Sequence, residues 1–317
     1  MFKLYLEWFT DLYDLTQVVG NISLRSNIDE ISEEITFEIA KLDYLEEGNI
    51  IRLYKDDRMV FKGMIIKRTK NNEYTETIVA NDYGWILNKN EDIYQFNCTV
   101  SQAIEKICKD YEIPIGGIVD IPTPIKDIKK GNLSDIIKEL LELAKKEQGI
   151  RYIWEMWEGK FWVERIKDTP VIYRSDLFDL TNEQINNFMQ SPTIETSIED
   201  MKNSVKIIKE ADKTYTVLAT ATDPDNISKY GWLQKLETVD KDNESKASSI
   251  AKNLLSELNK VSKKVTVTLP GNIDCKASKL FKFDDNFIKD DRYFLVVSCT
   301  HNIKGAYHLM DVDMEVL

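Results

Sequence analysis

The chain has 317 residues, 43% of them hydrophobic, with 42 Lys and Arg against 54 Asp and Glu for a formal charge of -12. That length and apolar content exclude a disordered chain and allow two or three domains with sizeable cores. The acidic balance argues against a surface that attracts phosphate backbones, so no specific nucleic-acid partner is expected.

From Met1 to about Asn90 the pattern is one of short alternating strands at Phe2 to Trp8, Glu34 to Lys41, Asn49 to Tyr54, Met59 to Thr69 and Tyr74 to Asn81. Lys55-Asp56-Asp57-Arg58 and Lys70-Asn71-Asn72-Glu73 read as hairpin loops between them. Strands spaced this closely predict a small barrel or sandwich over residues 1–90.

The period then changes. Ala103, Ile104, Ile107, Cys108 and Tyr111 recur at helical spacing, as do Ile136, Ile137, Leu140, Leu141 and Ala144. Ser134 is placed to cap the second helix and Gly149 to end it. Gly116-Gly117, after Pro114, lacks the context of a phosphate-binding loop and reads as a turn. A hairpin with Tyr152, Trp154, Trp162 and the turn Glu158-Gly159-Lys160 completes an α+β region over 91–170.

Residues 171–317 return to strands around one amphipathic helix. Asp242 or Asn243 can cap it, and Ala247, Ile250, Ala251, Leu254 and Leu258 form its stripe. Lys263 to Leu269 reads as a strand ended by Pro270-Gly271, and Tyr293 to Thr300 with Ala306 to Val316 as a final antiparallel pair. No low-complexity linker separates the three regions, so they are expected to pack as one rigid body. The fold class expected is mainly β, two small β-barrel domains flanking a helix-containing α+β insertion.

Chemistry-bearing patterns are scarce. Cys98, Cys108, Cys275 and Cys299 form no CxxC pair, which predicts buried free thiols in a chain made in a reducing cytoplasm. No basic leader precedes an apolar core and no run of about 18 apolar residues occurs, so neither secretion signal nor membrane insertion is expected. His301 and His308, the two histidines, belong to no HExxH or Ser/His/Asp pattern and read as strand or turn residues. Asp284-Asp285-Asn286 with Asp290-Asp291 lacks the spacing and central glycine of a calcium loop and reads as a solvated loop. No catalytic residue, metal site or cofactor is expected. Trp154, Trp157 and Trp162 could stack on sugars, but a hairpin packing its aromatics on a helix pair is the commoner arrangement.

Several segments, in order, resemble a known family: Glu199-Asp200-Met201-Lys202-Asn203-Ser204-Val205-Lys206-Ile207, then Lys229-Tyr230-Gly231-Trp232-Leu233, then the helix at Ala247 to Leu258. Lys264 to Gly271, Tyr293 to His301 and Tyr307 to Val316 follow, and Phe61-Lys62-Gly63-Met64-Ile65 with Ile78-Val79-Ala80-Asn81-Asp82 match at the other end. Together they resemble the XkdQ/YqbQ-type baseplate hubs of phages, defective prophages and bacteriocins, which are related to the spike-carrying protein of type VI secretion. One departure is that Cys275-Lys276-Ala277-Ser278 stands where relatives usually carry a glycine before a strand.

The resemblance implies a structural protein and no enzyme: a homotrimer of duplicated barrels, assembled in a tail baseplate, that adapts a sixfold tail tube protein to a threefold central spike protein beside other baseplate proteins. The formal charge of -12 adds the expectation that the wall of such a channel is neutral or negative. The rival classes are a peptidoglycan-degrading hub and a carbohydrate-binding tail module. The chain ends at Leu317, just after the last family-like strand, which is expected to leave no room for an appended lytic domain. The insertion, which one barrel carries and its sibling lacks, is expected to face the spike, with Trp157 as a partner-binding anchor.

Overall fold

Alternation in the first region produces the strands it predicts. The computed structural model describes residues 1–8, 11–166, 170–172, 192–211, 214–239, 241–282 and 293–316. It begins with β1 (Phe2–Trp8), β2 (Asp11–Asp14), β3 (Val19–Asn27), β4 (Glu34–Ala40), β5 (Ile50–Lys55), β6 (Arg58–Lys70) and β7 (Thr75–Asp82), followed by α1 (Gly84–Lys89). The Asp56-Asp57 turn needs a left-handed residue, and Asp56 supplies it at φ 55°. In the second loop the Asn72 carboxamide oxygen accepts the N–H groups of Tyr74 and Thr75. Strand β3 escaped the alternation because Gly20 and Asn21, both exposed, interrupt its apolar period. The inward residues of β1 and β3 to β7 share one core with Leu4, Leu6, Leu24, Phe37, Leu53 and Ile78. The sheet therefore curls around that core, in the order β3-β4-β7-β6-β5-β1-β2.

The insertion contributes β8 (Glu91–Thr99), α2 (Val100–Asp110), β9 (Ile115–Ile118), β10 (Pro124–Asn132), α3 (Leu133–Gln148), β11 (Tyr152–Trp157) and β12 (Lys160–Arg165). Both predicted stripes are buried, Ala103, Ile104, Ile107 and Cys108 on α2 against Ile137, Leu140, Leu141 and Ala144 on α3. A capping box between Thr99 and Gln102 starts α2. The cap of α3 is Asn132 and not Ser134: the Asn132 side chain accepts the Ser134 N–H at 3.0 Å, two residues earlier than the apolar stripe suggests. Gly149 ends α3 as expected, left-handed at φ 68° and donating to the Lys145 carbonyl.

Gly116-Gly117 is a strand and not a turn. Both lie in β9, which pairs with β12, and a Cβ on Gly116 would sit 2.1 Å from the Trp162 indole. Two glycines here make room for an aromatic ring lying across the neighbouring strand.

The remaining elements are β13 (Pro170–Ile172), β14 (Thr193–Ser197), β15 (Ser204–Ala211), β16 (Thr214–Thr222), α4 (Pro224–Tyr230), β17 (Gln234–Thr238), α5 (Ala247–Leu258), β18 (Ser262–Pro270), β19 (Leu280–Lys282), β20 (Phe294–Lys304) and β21 (Tyr307–Val316). The stripe of α5 is buried, but on a sheet of its own: Ala247, Ile250, Ala251 and Leu254 pack on Val205 and Ile207 of the three-stranded sheet β16-β15-β17. A 3₁₀ turn over Lys241–Lys246 leads into α5, so Asn243 lies inside that turn instead of capping the helix, and the Asp242 side chain lies outside the described residues. The acidic stretch Asp284 to Asp291 also lies outside them.

Strands β14, β18, β21 and β20, with β19 and β13, surround a fourth core that includes Val267, Phe281, Phe294, Val312 and Met314. Strand β20 also pairs with β3, from Ser298 opposite Asn27 to Ile303 opposite Ile22. The two β units are thereby one 13-stranded sheet. The fold is mainly β with helices, as expected. Among the described residues no ladder closes either unit into a barrel, and the expected pair of barrels appears as two curled halves of a single open sheet.

Candidate functional site: a buried joint between three units

The segment Asn272–Lys279, between β18 and β19, touches every unit except the α5 sheet through charged side chains. Lys276 is 2% exposed, and its ammonium lies 2.8 Å and 3.0 Å from the two Glu33 carboxylate oxygens on the first β unit. Burying such a pair costs desolvation that only close geometry and further hydrogen bonds offset. The surroundings supply them. Asp82 accepts the Glu33 N–H and the Gly84 N–H, each at 2.9 Å. Asn81 donates to Ser32 at 3.0 Å, and Ser26 accepts the Ala277 N–H at 2.9 Å.

The same segment grips the insertion. Lys279 pairs with Glu155 on β11, with Glu164 on β12 lying 3.7 Å away. Trp157, at the tip of that hairpin, is flanked by two cations: the Arg58 guanidinium 5.0 Å and the Lys276 ammonium 5.1 Å from its ring centroid. Arg58, in turn, pairs with Asp274 at 2.5 Å. The predicted anchor Trp157 is thus half-buried in a contact that already joins three parts of its own chain. Trp154 packs on the insertion core, and Trp162 lies over the paired glycines.

Protonation follows burial. Desolvation, with the neighbouring Glu33 charge adding to it, pushes the Asp82 carboxyl up to about 8. Glu33 is also raised by burial, opposed by Lys276, and Lys276 is raised because its carboxylate neighbours outweigh its own desolvation.

A second buried cluster stitches the two β halves. The His301 Nε2 contacts the Cys275 carbonyl at 2.8 Å, so in the neutral tautomer that nitrogen donates and Nδ1 accepts from His308 Nε2 at 3.0 Å. Phe2 meets the His308 ring edge-on at 5.0 Å, and a Cβ on Gly271 would sit 2.2 Å from that ring. Both histidines are strand residues with hydrogen-bonded roles, and burial raises the adjacent Cys299 thiol well above its usual range. All four cysteines are free thiols, with Cys98 half-buried and the others buried.

Two sequence segments singled out separately meet in space. The Asn203 side chain donates to the Asn226 and Gly231 carbonyls, at 3.3 Å and 2.7 Å, and accepts the Leu233 N–H at 2.9 Å. That one buried carboxamide fixes the turn carrying Trp232. The Cys275-Lys276-Ala277-Ser278 departure also has a geometric meaning, since Ser278 stands just before β19 at φ 71°, the conformation glycine adopts without strain. Sequence reasoning passed over Glu33 and Lys279 and met Asp82 and Lys276 only as members of family-like segments, because nothing in a local window marks a lysine or a carboxylate as buried.

The overall fold is shared with solved phage-tail proteins. A tail protein from Neisseria meningitidis has the same fold with a TM-score of 0.68 at 13% identity, covering 99% of this chain and 96% of that one. The fold is shared at 10% identity and a TM-score of 0.57 by the Escherichia coli c3393 protein, described as a type VI secretion component similar to phage T4 tail proteins, with 98% of this chain and 76% of that one covered. The chain belongs to the YqbQ-like family, whose sequence profile matches residues 22–315. Two Bacillus subtilis (strain 168) relatives are YqbQ, 27% identical over 85% of this chain and 82% of its own length, and the phage-like element PBSX protein XkdQ, 28% identical over the same shares.

Proposed function

We propose that this protein is a structural hub of a phage-tail or phage-tail-like baseplate, three copies of which form a ring between a sixfold tail tube and a threefold spike. The observation that carries the reading is the β3–β20 ladder, which gives the two β units one continuous solvent-facing surface. Row by row across the strands it presents Thr268, Asp311, Thr300, Arg25 and Glu34, and beside them Thr266, Asp313, Ser298 and Asn27. The acids are held in place: Thr266 and Ser298 hydrogen-bond Asp313 at 2.6 Å and 2.7 Å, and Thr268 and Asn302 bond Asp311 at 2.6 Å and 2.8 Å. A polar, acidic wall of this kind suits a channel that must let a nucleic acid or an extended protein slide past without adhering.

A ring needs subunits that keep a fixed rotation between their contact surfaces, and the joint around Lys276 holds the two β halves and the insertion in one orientation. In this reading the face built by both halves docks on the tube, because two similar units per copy can repeat nearly one contact six times. The insertion, with Trp157 at the tip of its hairpin, marks the spike side. Sedimentation and negative-stain microscopy of the purified chain with its tube and spike proteins test the reading. A ring with a central channel is expected, and a chain that stays monomeric in the presence of both partners overturns it.

A further inference from the structure

Between Ser197, where β14 ends, and Ser262, where β18 begins, the chain leaves the large sheet and builds β15, β16, α4, β17 and α5. The two serines face each other across the β14–β18 ladder, and the Ser262 hydroxyl donates to the Ser197 carbonyl at 3.0 Å. Residues 198–261 therefore hang from one two-stranded stem, beyond which Ile198 and Val261 are both exposed.

This unit differs from the rest of the molecule in what holds it. Ile31 and Leu87 carry the first β unit into the core of the insertion, and Ile273 and Ile303 carry the second β half into the core of the first. Ile153 and Ile166 of the insertion cluster with Leu280 and Leu295 of the second half. Each of those joints is apolar. The core beneath α5, among the described residues, is drawn from residues 205–255 alone.

Its contact with the insertion is polar instead. At the end of α3, Lys145 pairs with Glu257 at 2.6 Å, Glu147 with Lys246 at 2.8 Å, and Lys146 with Glu237. The Asn253 carboxamide donates to the Lys146 and Glu147 carbonyls, at 3.1 Å and 3.3 Å, groups that the last turn of a helix leaves without partners of its own. Beside these contacts the two units part around a cleft of about 990 Å³, lined by Lys129 and Glu142 on one side and Asn243 and Lys246 on the other. Partly exposed ion pairs are individually weak, and the reach of a charge falls from about 10 Å at 0.1 M salt to about 3 Å at 1 M. Apolar burial is not weakened in that way. Salt can therefore loosen the α5 unit while the apolar joints stay closed.

We propose that residues 198–261 form a hinged arm, turning about the Ser197–Ser262 stem and latched to the C-terminus of α3 by these ion pairs and Asn253. The proposal goes beyond the ring reading and does not depend on it, since both sides of the latch belong to one chain.

The test places spin labels on the full-length protein at Lys109→Cys on α2 and Ser248→Cys on α5, with Cys98→Ser removing the half-buried native thiol, and reads their separation by double electron–electron resonance. One distance is expected at about 0.1 M sodium chloride and a second, longer one at about 1 M. Lys246→Glu is expected to populate the longer distance already at the lower salt, and adding Glu147→Lys to return the shorter, because the exchanged pair attracts again. Both substitutions suit their helices, since an acid at the start of α5 and a cation at the end of α3 complement the helix dipoles. Labels at Tyr74→Cys and Tyr307→Cys, exposed positions on the two β halves, are expected to keep one distance throughout. A single unchanged distance at both salts, no rescue by Glu147→Lys, or equal movement of the labels at positions 74 and 307 overturns the proposal. A longer distance accompanied by loss of helical circular dichroism shows local unfolding in place of hinging and overturns it as well.

Discussion

Lys276 shows how much a single buried charge can organise. It meets Glu33 from one side and the Trp157 ring from another, so removing it leaves the Glu33 carboxylate buried without its cation. Lys276→Met is therefore expected to cost about 3–5 kcal/mol in denaturant unfolding, and adding Glu33→Gln is expected to recover much of that loss, because the uncompensated charge is then gone. Asp82 makes a separate prediction about pH. Its folded value of about 8 lies above the 3.8 of a free carboxyl, so the native state holds a proton that the unfolded chain has released. The associated stability is fully present below pH 3.8 and is lost as pH rises through about 8, with a slope of up to about 1.4 kcal/mol per pH unit between. Asp82→Asn is expected to flatten that decline, which melts taken at intervals from pH 5 to pH 8 would show. An unchanged slope in the variant would place the titration elsewhere.

At the scale of elements, pairing decided what periodicity left open. The stripes of α2, α3 and α5 were legible, because a 3.6-residue apolar period has one physical meaning whatever lies opposite. Strands β8 and β10 were not, since each buries only a few residues between charged ones and their partner lies some thirty positions away. Gly116-Gly117 looked like a turn because glycine pairs usually are; the cause of the exception, Trp162, is far off in sequence. Gly116→Ala is expected to destabilise the protein by about 1–3 kcal/mol through overpacking. In a Trp162→Ala background the same substitution is expected to cost much less, since the ring it strikes is absent. A double-mutant cycle by chemical unfolding measures that coupling, and full additivity would refute the account.

Across the whole molecule, the β3–β20 ladder makes two β units one sheet. Ile28 closes its end, donating its N–H to the Val297 carbonyl at 2.8 Å. Proline there removes a donor between the two β units, so Ile28→Pro is expected to split a single calorimetric transition into two. Retention of one transition would show that the joint around Lys276 couples the halves by itself. The joint and the ladder together tie the two β units and the insertion to one another, which is the rigidity the proposed ring would require.

The sequence by itself determined the mainly β character, the three amphipathic helices, the hairpin loops and the family, because each of these is written in local spacing or in the order of local segments. The tertiary structure alone decided that the α5 stripe serves a separate small sheet, that the two β units share one sheet, and that Glu33, Asp82, Lys276 and Lys279 are buried. Periodicity tells a side chain which face of its own element is apolar. It does not say which distant element will cover that face, nor which lysine the covering will enclose.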